Sequence, residues 1–303
     1  MERRKFLQQT SAALAYSTLG SLPLVSCNSK PKHITILHTN DTHSHIEPFE
    51  KDHYRYANKG GDARRANLVE SIKKENPNTL LLDAGDIFQG TPYFNYFKGE
   101  LEFKLMSMLK YDLATLGNHD FDNGIDGLYA QLPHANFDFL SANYDFTNTV
   151  LDTHVKPYRV LVKDGIRIGI FGLGIELEGL VNKNLYKETK YLDPLEISTD
   201  MSRVLKEEEH CDLVICLSHI GYYYKNNPDR ISDLNLAKKT KNIDLIIGGH
   251  THTFLSKPTI VKNLEDKNVL VNQVGAYGIN VGRIDFYFDA AKNKTSEGAT
   301  IIV

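Results

Sequence analysis

The sequence predicts an α/β fold built in layers. From His33 onward, apolar runs of four to seven residues alternate with longer stretches of helical period. Many of those runs are apolar throughout, as strands buried on both faces are. No repeat or low-complexity segment interrupts the alternation.

Taken in order, the predicted strands are Ile34 to His38, Thr79 to Asp83, Leu113 to Leu116, Phe139 to Ala142, Ile166 to Leu173, Leu213 to Leu217, Leu245 to Ile247, Val269 to Val274 and Val281 to Phe288. The predicted helices are Ala63 to Glu75, Leu101 to Leu109, Ile125 to Leu132, Leu195 to Glu209 and Asp233 to Lys239, the last two opened by Pro194 and Ser232. Five of the strands end in clusters that combine histidine, aspartate, asparagine and glycine. Loops at strand ends are where α/β proteins place their sites.

Composition narrows the function. Across 303 residues, 35 Lys+Arg face 38 Asp+Glu, a net charge of −3 that offers no basic excess for gripping nucleic acid. With 41% hydrophobic and 24% charged residues the chain is neither disordered nor a polytopic membrane protein. Three cysteines are too few and too oddly spaced for a disulfide framework or a thiolate zinc site, and Cys211 and Cys216 flank a strand where they pack. Twelve histidines are the conspicuous resource.

The first residues are an address rather than fold. Arg3-Arg4-Lys5-Phe6-Leu7 precedes an apolar run that closes in Leu24-Val25-Ser26-Cys27. The arginine pair resembles a twin-arginine export signal, and Leu-Val-Ser-Cys resembles a lipobox. Residues 1–26 are therefore read as a lipoprotein-type signal peptide, residues 27–32 as a tether and residues 33–303 as the domain that works. On this reading the chain is exported, periplasmic or on the cell envelope, and anchored through Cys27 by acyl chains that contribute about 0.8 kcal/mol per buried CH₂. The alternative, an uncleaved membrane helix, falls short of the ~20 apolar residues a span needs.

The strand-end clusters are Asn40-Asp41-Thr42-His43, Gly85-Asp86, Gly117-Asn118-His119-Asp120, Ser218-His219 and Gly248-Gly249-His250-Thr251-His252. They offer carboxylate and amide oxygen and imidazole nitrogen but no thiolate. Residues i and i+2 share one side of extended chain, so Asp41 with His43, and His250 with His252, can aim at one ion. Asp86, alone after glycine, suits a carboxylate that bridges two. Asp41, His43, Asp86, Asn118, His219, His250 and His252 suffice for two adjacent divalent metals. Such a pair, roughly 3.5 to 4 Å apart, serves hydrolysis at phosphorus by lowering the pKa of a bridging water towards ~7. An all-N/O set accepts Mn, Zn, Fe, Co or Ni.

The order D-x-H, G-D, G-N-H-[D/E], H, G-H-x-H resembles that of the calcineurin-like metallophosphoesterases. The words from Ile36 to His43, Asp83-Ala84-Gly85-Asp86 and Gly117 to Asp122 are similar to the 5′-nucleotidase branch, over Ile34 to about Asp285. The resemblance implies a four-layer α-β-β-α sandwich and hydrolysis of phosphate monoesters, nucleoside 5′-monophosphates foremost, by metal-activated hydroxide. It assigns Asp41, His43 and His252 to one metal, Asn118, His219 and His250 to the other, and Asp86 to the bridge. His119 matches the family's catalytic histidine, with Asp122 orienting its ring and Asp120 competing for that place; a carboxylate partner favours the charged imidazole.

Other residues carry plainer readings. His38 and His45 lie near the first cluster and either support it or serve structure. His33, His53, His134, His154 and His210 read as ordinary surface or turn residues, and Tyr222-Tyr223-Tyr224 as packing more than a stacking face. Asn143 occupies a family position near the site. Where some two-domain relatives have glutamine, His252 keeps a ligand. Those relatives bind nucleotide through a second, C-terminal domain, whereas this sequence ends at Val303. Either a separate chain brings the substrate domain or this domain acts alone on exposed phosphate esters. Two further readings stay open: an enzyme on phosphodiesters or cyclic nucleotides, and a non-catalytic metal-stabilised surface lipoprotein. The His119-Asp122 pair argues against the second, since scaffolding has no use for it.

Overall fold

The computed structural model describes residues 31–303; residues 1–26, expected to be a signal peptide, Cys27 and most of the expected tether lie outside the described residues. Lys32, read as tether, already opens the first strand. From there the strands are β1 (Lys32–Thr39), β2 (Thr79–Asp83), β3 (Leu113–Thr115), β4 (Asp138–Leu140), β5 (Tyr144–Asp145), β6 (Tyr158–Lys163), β7 (Ile166–Leu173), β8 (Lys190–Tyr191), β9 (Leu213–Ser218), β10 (Leu245–Gly248), β11 (Thr259–Lys262), β12 (Asn268–Asn272), β13 (Asn280–Phe288) and β14 (Lys294–Ile302). The helices are α1 (Asp62–Glu75), α2 (Pro92–Phe97), α3 (Glu100–Met108), α4 (Gly124–Gln131), α5 (Lys183–Tyr186), α6 (Pro194–Arg203) and α7 (Asp233–Lys239). The helix expected to run to Glu209 gives way after Arg203 to a π-helical turn, Val204–Glu208.

Two six-stranded sheets stack face to face. The first has the order β14-β13-β1-β2-β3-β4 and the second β11-β12-β10-β9-β7-β6. In the first, β1 to β4 run parallel out to the β4 edge, with antiparallel β13 and β14 on the other side; in the second, the parallel set β7-β9-β10-β12 is flanked by antiparallel β6 and β11. Between the sheets lies one apolar layer, with Ile34, Ile36, Leu80 and Leu82 meeting Ile168, Ile170, Ile215 and Ile247. Alternate residues of the same strands face outward: Leu37 and Leu81 pack with Val69 of α1, Phe103 of α3 and Ile125 of α4, and Val214 and Cys216 pack with Leu236 of α7. Central strands are thus buried on both faces, which is why they read as unbroken apolar runs. The result is the four-layer α-β-β-α sandwich. Among the described residues no helix is long and apolar enough to cross a membrane.

Strands β6, β11 and β14 escape a hydrophobic reading because they are edges that bury little, whereas the fourth edge, β4, buries Phe139 and Leu140 and reads as a strand. β14, with the sequence KTSEGATII, buries none of its residues fully and is held by its register on β13.

A carboxylate buried to 8% side-chain exposure ties β1 to β13: Asp285 accepts from Thr35 Oγ1 at 2.5 Å, from His33 Nε2 at 2.7 Å and from Arg283 Nε at 2.7 Å. Burial alone would raise the Asp285 carboxyl, but the donors from Thr35, Arg283 and His33 outweigh it and hold it below the ordinary value. A carboxyl lowered on folding adds stability that is present above the unfolded value near 4 and lost as pH falls through the folded one. Asp285→Asn is expected to cost about 1–3 kcal/mol at pH 7. Urea denaturation of both proteins should show that gap closing below about pH 4; a gap independent of pH would show that the charge is not what matters.

Candidate metal centre

The sequence delivers the site through the ends of parallel strands. Asp41 and His43 follow β1, Asp86 follows β2, Asn118 follows β3, His219 directly follows β9, and His250 and His252 follow β10. Both sheets therefore contribute to one end of the sandwich. The chain turns sharply here: Asp41 (φ 50°), His43 (φ 49°), Asp86 (φ 55°), His250 (φ 70°) and His252 (φ 48°) all occupy the left-handed region. That region is costly for residues with a Cβ, and residues held in it cluster at functional sites. Gly85 (φ 86°) leaves no choice, because a Cβ there would lie 2.6 Å from the Gly117 nitrogen and 3.0 Å from His219 Nδ1.

Two groups of donor atoms result, Asp41 with His43 and His252, and Asp86 with His219 and His250. In the first, His252 Nε2 is 3.3 Å from Asp41 Oδ1 and 3.0 Å from His43 Nε2. In the second, His219 Nε2 is 3.0 Å from Asp86 Oδ2, and Asn118 Oδ1 joins at 2.9 Å from His250 Nδ1. Asp86 stands between the groups, since its Oδ2 is also 3.9 Å from His43 Nε2. Asp41 Oδ1 likewise lies 3.9 Å from His219 Nε2.

The acceptors facing each imidazole decide whether these atoms suit a cation. His219 Nδ1 is 2.6 Å from the Ala84 carbonyl and His43 Nδ1 is 3.1 and 3.0 Å from those of Phe88 and Gln89. A carbonyl only accepts, so each Nδ1 donates and each neutral ring turns its Nε2 lone pair inward. His219 Nε2, fully buried, makes no hydrogen bond of acceptable geometry. Burial favours neutral imidazole in His43 and pushes His250 down to about 4. Burial acts the same way on His219, but Asp86 outweighs it and lifts that ring to about 10. A divalent ion takes the place of such a proton. Inward lone pairs with buried carboxylates and no thiolate fit two hard-to-borderline divalent cations.

Beside these groups, His119 Nδ1 is 2.8 Å from Asp122 Oδ2, and that hydrogen bond, ahead of the opposing effect of burial, raises the His119 imidazole. The His119 backbone N–H donates to Asp86 Oδ1 at 2.8 Å. Asp120 does not compete for the ring. It is buried and accepts backbone N–H groups from Asp86, Ile87, Phe88 and Gly117 at 2.8–3.1 Å, locking two site loops together.

The remaining histidines separate cleanly. His38 is fully buried, is bonded to Asn272 at 2.9 Å and is pushed by burial down to about 3, so it is a neutral core residue. Asn143 is a structural knot, exchanging two hydrogen bonds with Gly174. Tyr222 and Tyr224 spend their hydroxyls on Thr259 and on the Ile220 carbonyl. His45 and His53 line a cavity that opens beside His43, His119 and His252, together with the aromatic rings of Phe49, Tyr54, Tyr56 and Tyr277. Sequence reasoning placed His53 among ordinary turn residues; the signal that could have found this wall is the aromatic density between His45 and Tyr56.

Known proteins give this geometry its setting. The family model described as calcineurin-like phosphoesterase matches residues 34–254. The trifunctional nucleotide phosphoesterase protein of Bacillus subtilis is 34% identical over 84% of this chain and 18% of its own length. The human 5′-nucleotidase is 34% identical over 87% of this chain and 48% of its own. Among solved structures, a 5′-nucleotidase precursor from Thermus thermophilus superposes with a TM-score of 0.81 at 35% identity, covering 90% of this chain and 55% of that one. The chain thus spans about half the length, or less, of these relatives.

Proposed function

The chain belongs to the calcineurin-like phosphoesterase family, and on that premise we propose that it hydrolyses phosphate monoesters, nucleoside 5′-monophosphates foremost. The observation that carries the reading is the His119–Asp122 pair set beside two groups of inward-facing nitrogen and oxygen donors. Asp41, His43 and His252 would hold one divalent ion, His219, His250 and Asn118 the other, and Asp86 would serve both. When bound, two such ions supply positive charge for the phosphate oxygens and a hydroxide nucleophile at neutral pH.

The chain's own part is proton delivery. Asp122 holds the His119 ring by Nδ1 and favours its charged form, leaving Nε2–H to donate. As the bond between phosphorus and the ester oxygen breaks, that oxygen takes the Nε2 proton and leaves as an alcohol, and solvent reprotonates the ring. Export and anchoring through Cys27 belong to the same proposal, supported by the Arg3-Arg4 and Leu24-to-Cys27 words.

The test is phosphate release by the purified protein with Mn²⁺ from an aryl phosphate, an aryl phosphodiester, AMP and a cyclic nucleotide. Selective AMP turnover is the expected result. The diester or the cyclic nucleotide as the better substrate would replace the monoester reading, and no turnover with two metals bound would leave a non-catalytic metal protein. A second reading has a separate chain supply the substrate-binding part. Turnover of aryl esters with no preference for AMP would support it.

A further inference from the structure

The cavity beside the candidate metal centre, about 490 Å³, is of a size that holds a small ligand. It begins at His43, His252 and His119 and ends on the aromatic loop that follows β1. Neither aspartate nor glutamate lines it among the described residues, and Arg55 brings one cation to its wall.

The aromatic wall is built in advance. The loop is closed at its base by Phe49 N–H to the Lys59 carbonyl at 2.9 Å and by Asn58 N–H to the Phe49 carbonyl at 3.1 Å, and inside it His53 Nδ1 accepts from Tyr56 N–H at 2.9 Å. Phe49 lies 5.3 Å from Tyr56 and 6.0 Å from Tyr277, centroid to centroid. Tyr277 joins this wall to the metal residues, with its ring 4.8 Å from His45, 5.6 Å from His252 and 6.0 Å from His43.

Two features resist an explanation by packing alone. Tyr277 is held at φ 65°, between Gly275 and Gly278, by its N–H to the Asp41 carbonyl at 2.7 Å. A bulky residue in that conformation is an outlier whose persistence points to function. Tyr54 lines the cavity while 91% exposed, so its ring contributes little to folding. An exposed aromatic beside a site for an anionic ester has a use in stacking.

We propose that this wall, Phe49, Tyr54, Tyr56 and Tyr277, is a stacking subsite for an uncharged planar group on the organic part of the ester, a nucleobase. The inference rests on the reading that the neighbouring residues process a phosphate ester, and it places base selectivity on this chain itself. Tyr277 lies between the metal-side histidines His43 and His252 and the rings of Phe49 and Tyr56.

The experiment compares AMP with ribose 5-phosphate, which shares the sugar phosphate and lacks the base, on the purified full chain with Mn²⁺. One stacked ring changes affinity by about 5- to 100-fold, so the kcat/KM ratio should favour AMP by about tenfold or more. Tyr56→Ala and Tyr54→Ala should each bring the ratio towards one, and Tyr56→Phe should restore it. No preference in the unmodified protein, or a preference untouched by both alanine variants, overturns the subsite while hydrolysis stands. Calorimetric titration with adenosine reads the subsite without turnover: binding at least about fivefold weaker in Tyr56→Ala supports it even if neither ester is hydrolysed, and absence of binding overturns it.

Discussion

His119→Ala is expected to lower kcat for phosphate-ester hydrolysis by about 10²- to 10⁴-fold while the protein still binds two metal ions. The two halves of that expectation come from different atoms of one residue. The side chain meets Asp122 at 2.8 Å and contributes nothing to either group of donor atoms. The backbone N–H, which alanine keeps, bonds Asp86 Oδ1 at 2.8 Å and steadies the carboxylate between the groups. Turnover measured by phosphate release and metal content measured by plasma emission on the same preparation separate the two. Metal lost along with activity would move His119 into the binding site, and activity retained would remove it from the chemistry.

Asp86→Ala should do the opposite, taking metal and activity together. Its carboxylate is the group shared between the clusters, at 3.0 Å from His219 Nε2 and 3.9 Å from His43 Nε2. Without it the second cluster keeps only neutral donors, since His219, His250 and Asn118 carry no formal charge towards a cation. Electrostatic stabilisation by bound ions amounts to several kcal/mol, so kcat should drop by at least about 10³-fold. Asp86→Asn separates charge from shape, because its amide oxygen can still accept from His119 N–H; intermediate metal retention is expected there. An Asp86→Ala protein holding two ions would show that this residue is no bridge.

What the sequence displayed and what it hid follow from burial. β2 was legible because Leu80 and Leu82 face one core and Leu81 the other. β14 was not, because a sheet edge needs backbone partners rather than apolar side chains. α2 was hidden for a related reason: with sequence PYFNYF it buries only Phe94 and leaves Tyr96 in solvent. The seven residues singled out as ligands stand at the strand ends where the two sheets meet, but the i, i+2 rule for extended chain does not set their directions: Asp41, His43, His250 and His252 are left-handed, and His250 and His252, expected to aim at one ion, fall in different donor groups. The choice between Asp120 and Asp122 needed three dimensions, because only folding shows four backbone N–H groups converging on Asp120. The aromatic wall was missed because its members are short-range neighbours in a loop, where no periodicity marks a shared face.

That both sheets feed one end of the sandwich gives the metals a mechanical meaning. The layer between the sheets is largely apolar, crossed by the hydrogen bond between His38 of β1 and Asn272 of β12 and, at the edge, by the pairing of Arg159 of β6 with Asp138 of β4. At the site end, residues that follow β1 and β2 meet residues that follow β9 and β10. Ions held there would add a directional tie between the plates at the site end, joining segments some two hundred residues apart in the chain. The bonds that would hold the ions would then also draw the two plates into register, so the alignment of the two halves and the alignment of the reacting groups would be coupled.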